Sequence, residues 1–381
     1  MDRTAFTHPS GEVRPLIGGG HGFIPDPLPP RQLDMGRLAA PLARAMGALG
    51  EMKGAARRLS NPWLLIQPLQ RQEALSTSAM EGTYTTLDQL VLEEARVGGG
   101  SADTREVANF IRALHRAEER LAQGMPITGR MLREAHGIML SDVERGRGRN
   151  RLPGRYKVDQ NMIGGHGIEE ARYVPPPPDI TPALMADLER FINAGEREAP
   201  FALVDLALVH YQFEAIHPFA DGNGRMGRML ITLLARAWGL LDGMLLYVSP
   251  EIEARKDEYV DRMFAVSARS QWEEWIAFFM EIVEGSCARI IRTIDGLVGL
   301  HEDYRRRAME AGRSANLQTV VDMLFHVPVL TAPKAAEALS ITYAAAQRIL
   351  RQLERGGMLA PVPGTRPQAW IAREILELTR R

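Results

Sequence analysis

Cysteine is almost missing from this chain: Cys287 is the only one in 381 residues. That excludes a disulfide framework within the chain and any zinc site built from several thiolates, and it fits a reducing cytoplasm. An excess of charge is missing too. The 46 basic residues nearly cancel the 47 acidic ones, leaving a formal net charge of −1. Nothing global therefore draws the chain to nucleic acid or acidic membranes, and any such affinity must come from a local patch. Long uncharged apolar runs are absent as well. The greasiest stretch, MLITLLARAWGLLDGMLLYV at 229–248, carries Arg236 and Asp242 near its middle. Each would cost about 2.5–3.5 kcal/mol at a bilayer centre, so the stretch is expected to be a buried helix. The first twenty residues lack the apolar core of a secretory signal, and a soluble intracellular protein is expected. No internal repeat occurs, and no GxxxxGK[ST] phosphate loop.

What is present is helical periodicity. Hydrophobic residues make up 45% of the chain, enough for a packed core. The length suggests two or three domains, at about 150 residues each. In TREVANFIRALHRAEERLAQ, Val107, Phe110, Ile111 and Leu114 form one apolar stripe. ITGRMLREAHGIML repeats the pattern, with Thr128 as its N-cap. A third helix is expected over about 202–216 and another from about Arg225 onward. Breaks divide these regions. VGGGSADT (97–104) reads as a linker, and GRSAN (312–316) precedes a different kind of domain. The resulting division is 1–100, 101–300 and 315–381. The longest non-helical stretch, 146–178, contains Gly164–Gly165, expected to turn a short hairpin, and four prolines, Pro175–Pro178, expected to be extended.

One segment asks for chemistry. HPFADGNGRMGR (217–228) sets His217 and Asp221 four residues apart and follows them with Gly222, Asn223, Gly224, Arg225 and Arg228. Any of these alone could belong to an ordinary helix–turn–helix corner. Together they describe an anion seat. A glycine-rich loop running into a helix N-terminus offers unpaired N–H groups and a partial positive charge, and the arginines add forked donors. Asp221 is a sufficient carboxylate for Mg²⁺, which takes one or two carboxylates and completes its shell with phosphates and water. His217 can accept a proton from a hydroxyl near neutral pH. These are the parts of phosphoryl or nucleotidyl transfer. His210, seven residues earlier and without an evident third ligand partner, is expected to be structural.

The segment resembles the signature of the Fic/Doc family, HPFx[DE]GNGRxxR, at every fixed position. NMIGGHG followed by YVPPPP resembles the family's substrate flap, although Lys157 stands where many relatives have arginine. The resemblance implies a mainly α fold: a helical core with a short β-hairpin flap. It also implies transfer of AMP from ATP to a protein hydroxyl. His217 would then be the general base and Asp221 the Mg²⁺ ligand. Gly222, Asn223 and Gly224 would form the anion hole, with Arg225 and Arg228 on the phosphates.

Two further segments acquire meaning beside that motif. STSAMEGTYTT resembles the family's inhibitory pattern [ST]xxxE[GN], with Thr77, Glu81 and Gly82 in the fixed positions of an inhibitory helix at about 73–83. Glu81 is expected to pair with Arg228 and so exclude the γ-phosphate. From 315 onward, three helical patterns and a Gly/Pro hairpin read as a winged helix-turn-helix. Gln347, Arg348 and Arg366 are its candidate DNA contacts, with a protein docking surface as the alternative for such a module. The expected partner is a target protein held at the flap by strand addition. Self-modification and a homodimer remain open, as do removal of AMP and transfer of another phosphate-bearing group. A run of Arg145, Arg147, Arg149 and Arg151 is expected to be a solvated loop, with an acidic target surface as the sharper alternative. The competing function is a DNA-binding regulator whose core senses nucleotide.

Overall fold

The computed structural model describes residues 1–57, 63–141, 152–243, 245–312 and 314–380, and the arginine run 145–151 lies outside them. Helices dominate: α1 (Met35–Arg57), α2 (Trp63–Met80), α3 (Leu87–Glu94), α4 (Ala102–Ala122), α5 (Gly129–Met139), α6 (Thr181–Ile192), α7 (Ala199–Ile216) and α8 (Asn223–Ala237). They continue as α9 (Ser249–Ala254), α10 (Lys256–Arg269), α11 (Trp272–Ala311), α12 (Ala315–His326), α13 (Ala332–Leu339), α14 (Tyr343–Arg355) and α15 (Arg373–Arg380). The strands are β1 (Gly11–Pro15), β2 (His21–Pro25), β3 (Val329–Thr331), β4 (Ala360–Val362) and β5 (Ala369–Ile371). Among the described residues, no helix is long and apolar enough to cross a membrane.

The chain divides into two units, 1–50 with 109–287, and 51–108 with 288–381. In the first, α7 is apolar on nearly every side, and it packs against α8. Such a helix cannot sit at a surface without exposing apolar area. Its neighbours include Trp275, whose indole N–H donates to the Ala207 carbonyl at 3.0 Å. Stripe residues Phe110 and Leu114 are buried, and the Thr128 side chain caps α5 by accepting from the Met131 N–H at 3.2 Å.

In the second unit, Leu87, Val91, Val97, Val329, Ile371 and Leu376 belong to one apolar core. The buried Arg71 ties α2 to α3 through Glu94 at 2.8 Å and to α12 through the His326 carbonyl at 3.1 Å. After α12 come β3, α13, α14 and an antiparallel hairpin, giving a sheet of order β3-β5-β4.

Three expectations need correction. The stretch 229–248 is helical only to Ala237, because Gly239 takes a left-handed φ of 70° and stops α8; the residues beyond are largely buried without being helical. The flap is not a two-stranded hairpin. Ile163 and Tyr173 form one isolated bridge, and the left-handed Gly164 and Gly165 open a longer loop between them. Third, the N-terminal region holds a real hairpin, β1–β2, registered Val13 to Phe23, which no helical period could announce.

Candidate active site

The site begins where α7 ends. His217 closes that helix in the left-handed region, at φ 49° and ψ 60°, and its N–H donates to the Phe213 carbonyl. A non-glycine residue held there costs roughly 1–3 kcal/mol. Pro218 then forbids continuation of the helix, and the chain turns through Phe219, which is fully buried. The Asn223 side chain locks this turn: its Oδ1 accepts the Phe219 N–H and its Nδ2 donates to the Phe219 carbonyl, both at 2.8 Å. Gly222 has a φ of 78°, and a Cβ there would stand 2.7 Å from Met139 Cε. The positive φ is what favours glycine here, since Met139 Cε is the far end of a flexible side chain.

α8 starts at Asn223, two residues before the expected point, so Asn223 and Gly224 occupy its first turn. Arg225 and Arg228 follow within the next turn and are both buried. Asp221 Oδ1 accepts the Gly222 N–H at 2.7 Å and lies 3.8 Å from Arg225 Nη2, and a third of its side chain is exposed. The loop therefore brings helix-terminal N–H groups, two guanidinium groups and one accessible carboxylate to one place. The donor set suits a polyphosphate, and Asp221 is the carboxylate able to hold a divalent cation with it.

The Glu214 carbonyl, which can only accept, lies 3.3 Å from His217 Nδ1, so Nδ1–H is the donor there and the neutral ring would carry its lone pair on Nε2. The Glu214 carboxylate is 3.9 Å from the same nitrogen. Gly227, one turn along α8, leaves room for that carboxylate, since a Cβ there would come within 2.1 Å of Glu214 Oε1.

Sequence reading passed over His136. Gly154 N–H donates to its Nδ1 at 2.9 Å, and its Nε2–H donates to the Asp221 carbonyl at 2.9 Å. The ring stacks on Phe219, centroids 3.9 Å apart and planes at 8°. Burial pushes its pKa down to about 4, so the imidazole is neutral. The signal was slight: one polar residue in the buried stripe of α5 beside Leu132, Ala135 and Met139. His210 is structural, as expected. Its Nδ1–H donates to the Gly227 carbonyl at 3.2 Å and its Nε2 accepts from Tyr259 at 2.8 Å, fastening α7 to α8.

Residues 126–235, which contain this whole loop and helix, match the Fic/DOC family, and residues 39–119 match that family's N-terminal region. The chain belongs to the Fic/DOC family. Over 198 residues the chain is 33% identical to the protein adenylyltransferase Fic of Drosophila ananassae, covering 51% of this chain and 36% of that one. The Drosophila melanogaster protein of the same name is 32% identical over 198 residues, 51% of this chain and 37% of its own. The chain thus spans little more than a third of these relatives' length. In fold it is similar to a Fic family protein from Desulfovibrio desulfuricans G20, with a TM-score of 0.55 at 20% identity, covering 91% of this chain and 98% of that one.

All of His217, Asp221, Gly222, Asn223, Gly224, Arg225 and Arg228 meet in this one loop and helix start of the first unit. Thr77, Glu81 and Gly82 belong to the second unit. Thr77 is buried on α2. That helix stops at Met80, so Glu81 sits in its closing turn, with its N–H on the Ser78 carbonyl at 3.0 Å. Gly82, at φ 76°, ends the turn.

Proposed function

We propose that this chain is a cytoplasmic, autoinhibited protein adenylyltransferase, which moves AMP from ATP to a hydroxyl of a target protein or of itself. One observation carries the reading: a histidine oriented through Nδ1 by the Glu214 carbonyl stands in the loop that runs into a helix N-terminus carrying two buried arginines. The target hydroxyl oxygen attacks the α-phosphorus while its proton passes to His217 Nε2. The bond from that phosphorus to the bridging oxygen breaks, and pyrophosphate leaves. The N–H groups of Gly222, Asn223 and Gly224, with Arg225 and Arg228, hold the phosphates in line, where positioning is most of the catalysis. Asp221 would hold Mg²⁺, whose charge offsets that of the phosphates. The names of the relatives at 32–33% identity support the same reaction class.

Glu81 is the proposed brake. The support is the [ST]xxxE[GN] match and the position of a carboxylate in the closing turn of α2, the end that the helix dipole disfavours for an anion. Pairing with Arg228 would set negative charge where the γ-phosphate belongs. The target would dock along the flap.

The test uses wild type, Glu81→Gly and Glu81→Gly/His217→Ala with Mg²⁺ and ATP labelled at the α- or the γ-phosphate. Protein label from α-ATP alone, strong in Glu81→Gly and lost with His217→Ala, is the expected result. Label from γ-ATP would mean kinase chemistry. Silence from both with folded protein would point to another donor or to AMP removal.

A second reading has its own observation. α12, β3, α13, α14 and the β4–β5 hairpin follow the order of a winged helix-turn-helix, and Arg348, Arg351 and Arg355 lie exposed on one face of α14. Neither Arg348 nor Arg351 has a carboxylate partner among the described residues, and Arg366 is exposed between β4 and β5. A helix so dressed suits the phosphates of duplex DNA. Duplex binding read by fluorescence anisotropy, and lost in Arg348→Glu/Arg351→Glu, would support it. Equal binding by that variant would end it.

A further inference from the structure

The flap segment does more than face a target: it grips the backbone that carries His217. Five consecutive carbonyls leave α7 and enter the loop, and each accepts a hydrogen bond from the flap. The Tyr173 hydroxyl donates to Ala215 O at 2.8 Å, and Lys157 Nζ donates to Ile216 O at 3.2 Å. Asn161 Nδ2 donates to His217 O at 3.1 Å and to Phe219 O at 3.0 Å. Lys157 N–H takes the carbonyl between them, Pro218 O, at 2.9 Å. Lys157 Nζ also donates to Asn161 Oδ1 at 2.8 Å, which fixes the orientation of that amide.

The arrangement answers a local problem. The last carbonyls of a helix lack intrahelical partners and carry partial negative charge. Here they are followed by a residue in a left-handed conformation that persists only if its surroundings over-determine it. Lys157 brings an amine donor to the C-terminal end of α7 from a different part of the chain, and Asn161 bridges the carbonyls on either side of Pro218. Lys157 is 3% exposed, and burial pushes its pKa down to about 7. A lysine kept so dry is costly unless its donors are used, and here two of them are.

We propose that Lys157 and Asn161 are positioning residues for His217, clamping residues 216–219 so that the imidazole meets the reacting hydroxyl in one orientation. They touch neither nucleotide nor target in this scheme. They act through the backbone of the histidine. The kinetic arm of the test rests on the AMP-transfer reading given above, and the spectroscopic arm does not.

The variants Lys157→Met, Lys157→Arg and Asn161→Ala are made in the Glu81→Gly background, with circular dichroism confirming that each is folded. Transfer is measured with α-labelled ATP, and the His217 imidazole is followed by nuclear magnetic resonance with isotopically labelled histidine. Asn161→Ala and Lys157→Met should lower kcat roughly 10–100-fold, with KM for ATP moving less than about twofold. Lys157→Arg keeps the donors and should keep most of the activity. The His217 signal and its titration midpoint should shift in the first two variants and not in the third. An unchanged kcat in Asn161→Ala, or a kcat loss matched by a rise in KM for ATP, would overturn the clamp. If Lys157→Met does not fold, Asn161→Ala decides. If the parent transfers no AMP, the activity reading falls and the clamp is judged by the imidazole alone: a His217 signal unmoved in Asn161→Ala refutes it, and a displaced one sustains it.

Discussion

Between α7 and α8 an imidazole serves as a structural peg, and that has a consequence for acid stability. His210 is fully enclosed, and burial pushes its pKa down to about 3. The unfolded chain takes up this proton near pH 6.5 and the folded chain does not. The ring's contribution is therefore complete above about pH 6.5 and is lost as pH falls, by up to about 1.4 kcal/mol per unit. His210→Gln should be less stable than wild type at pH 7, yet lose stability less steeply between pH 7 and 4 in denaturant titrations. Equal slopes would mean that the ring is not kept neutral. The residues proposed to act by their own chemistry were the ones the sequence offered together: His217, Asp221 and the arginines stand in one stretch of the chain. His136, Lys157 and Asn161 were not legible as partners of that stretch. They work by hydrogen bonds to carbonyls of Asp221, Ile216, His217, Pro218 and Phe219, and every residue type has a carbonyl.

At the level of elements, α5 gives a quantitative check. Its N-terminus is capped by Thr128, and Gly129 N–H is held by Glu189 Oε2 at 2.7 Å. Thr128→Ala should cost about 1 kcal/mol, a typical N-cap loss; a thermal unfolding shift within error would show that Glu189 alone suffices. Helices announced themselves through the spacing of apolar residues, as in the stripe from Val107 to Leu114, because a helix must bury one face. Their ends were less legible. α8 begins at Asn223 because Gly222 can turn left-handed, and it ends at Ala237 because Gly239 does the same. The N-terminal strands escaped notice for a different reason: β1 and β2 are five residues each and β1 is exposed along much of its length, so they build no alternating run long enough to read.

For the molecule as a whole, charge sets a limit on any DNA reading. With 46 basic and 47 acidic residues the chain has no long-range pull on a duplex, so affinity would come only from the few arginines of α14 and the hairpin. The salt dependence of duplex binding should accordingly be shallow, with a log–log slope of about −3 for three or four phosphate contacts. A slope near −10 would require a far larger surface than this unit offers. By itself the sequence determined the helical class, the candidate residues of the proposed anion seat and the order of the C-terminal helices. Each of those is written in local spacing, and local spacing dictates which groups one turn or one helix presents. Only the tertiary structure decided that Lys157, Asn161 and Tyr173 hold the backbone on either side of and at His217 and that His136 braces Asp221. Those bonds join segments tens of residues apart, and the chain brings them together only by burying α7 and α8 in a common core.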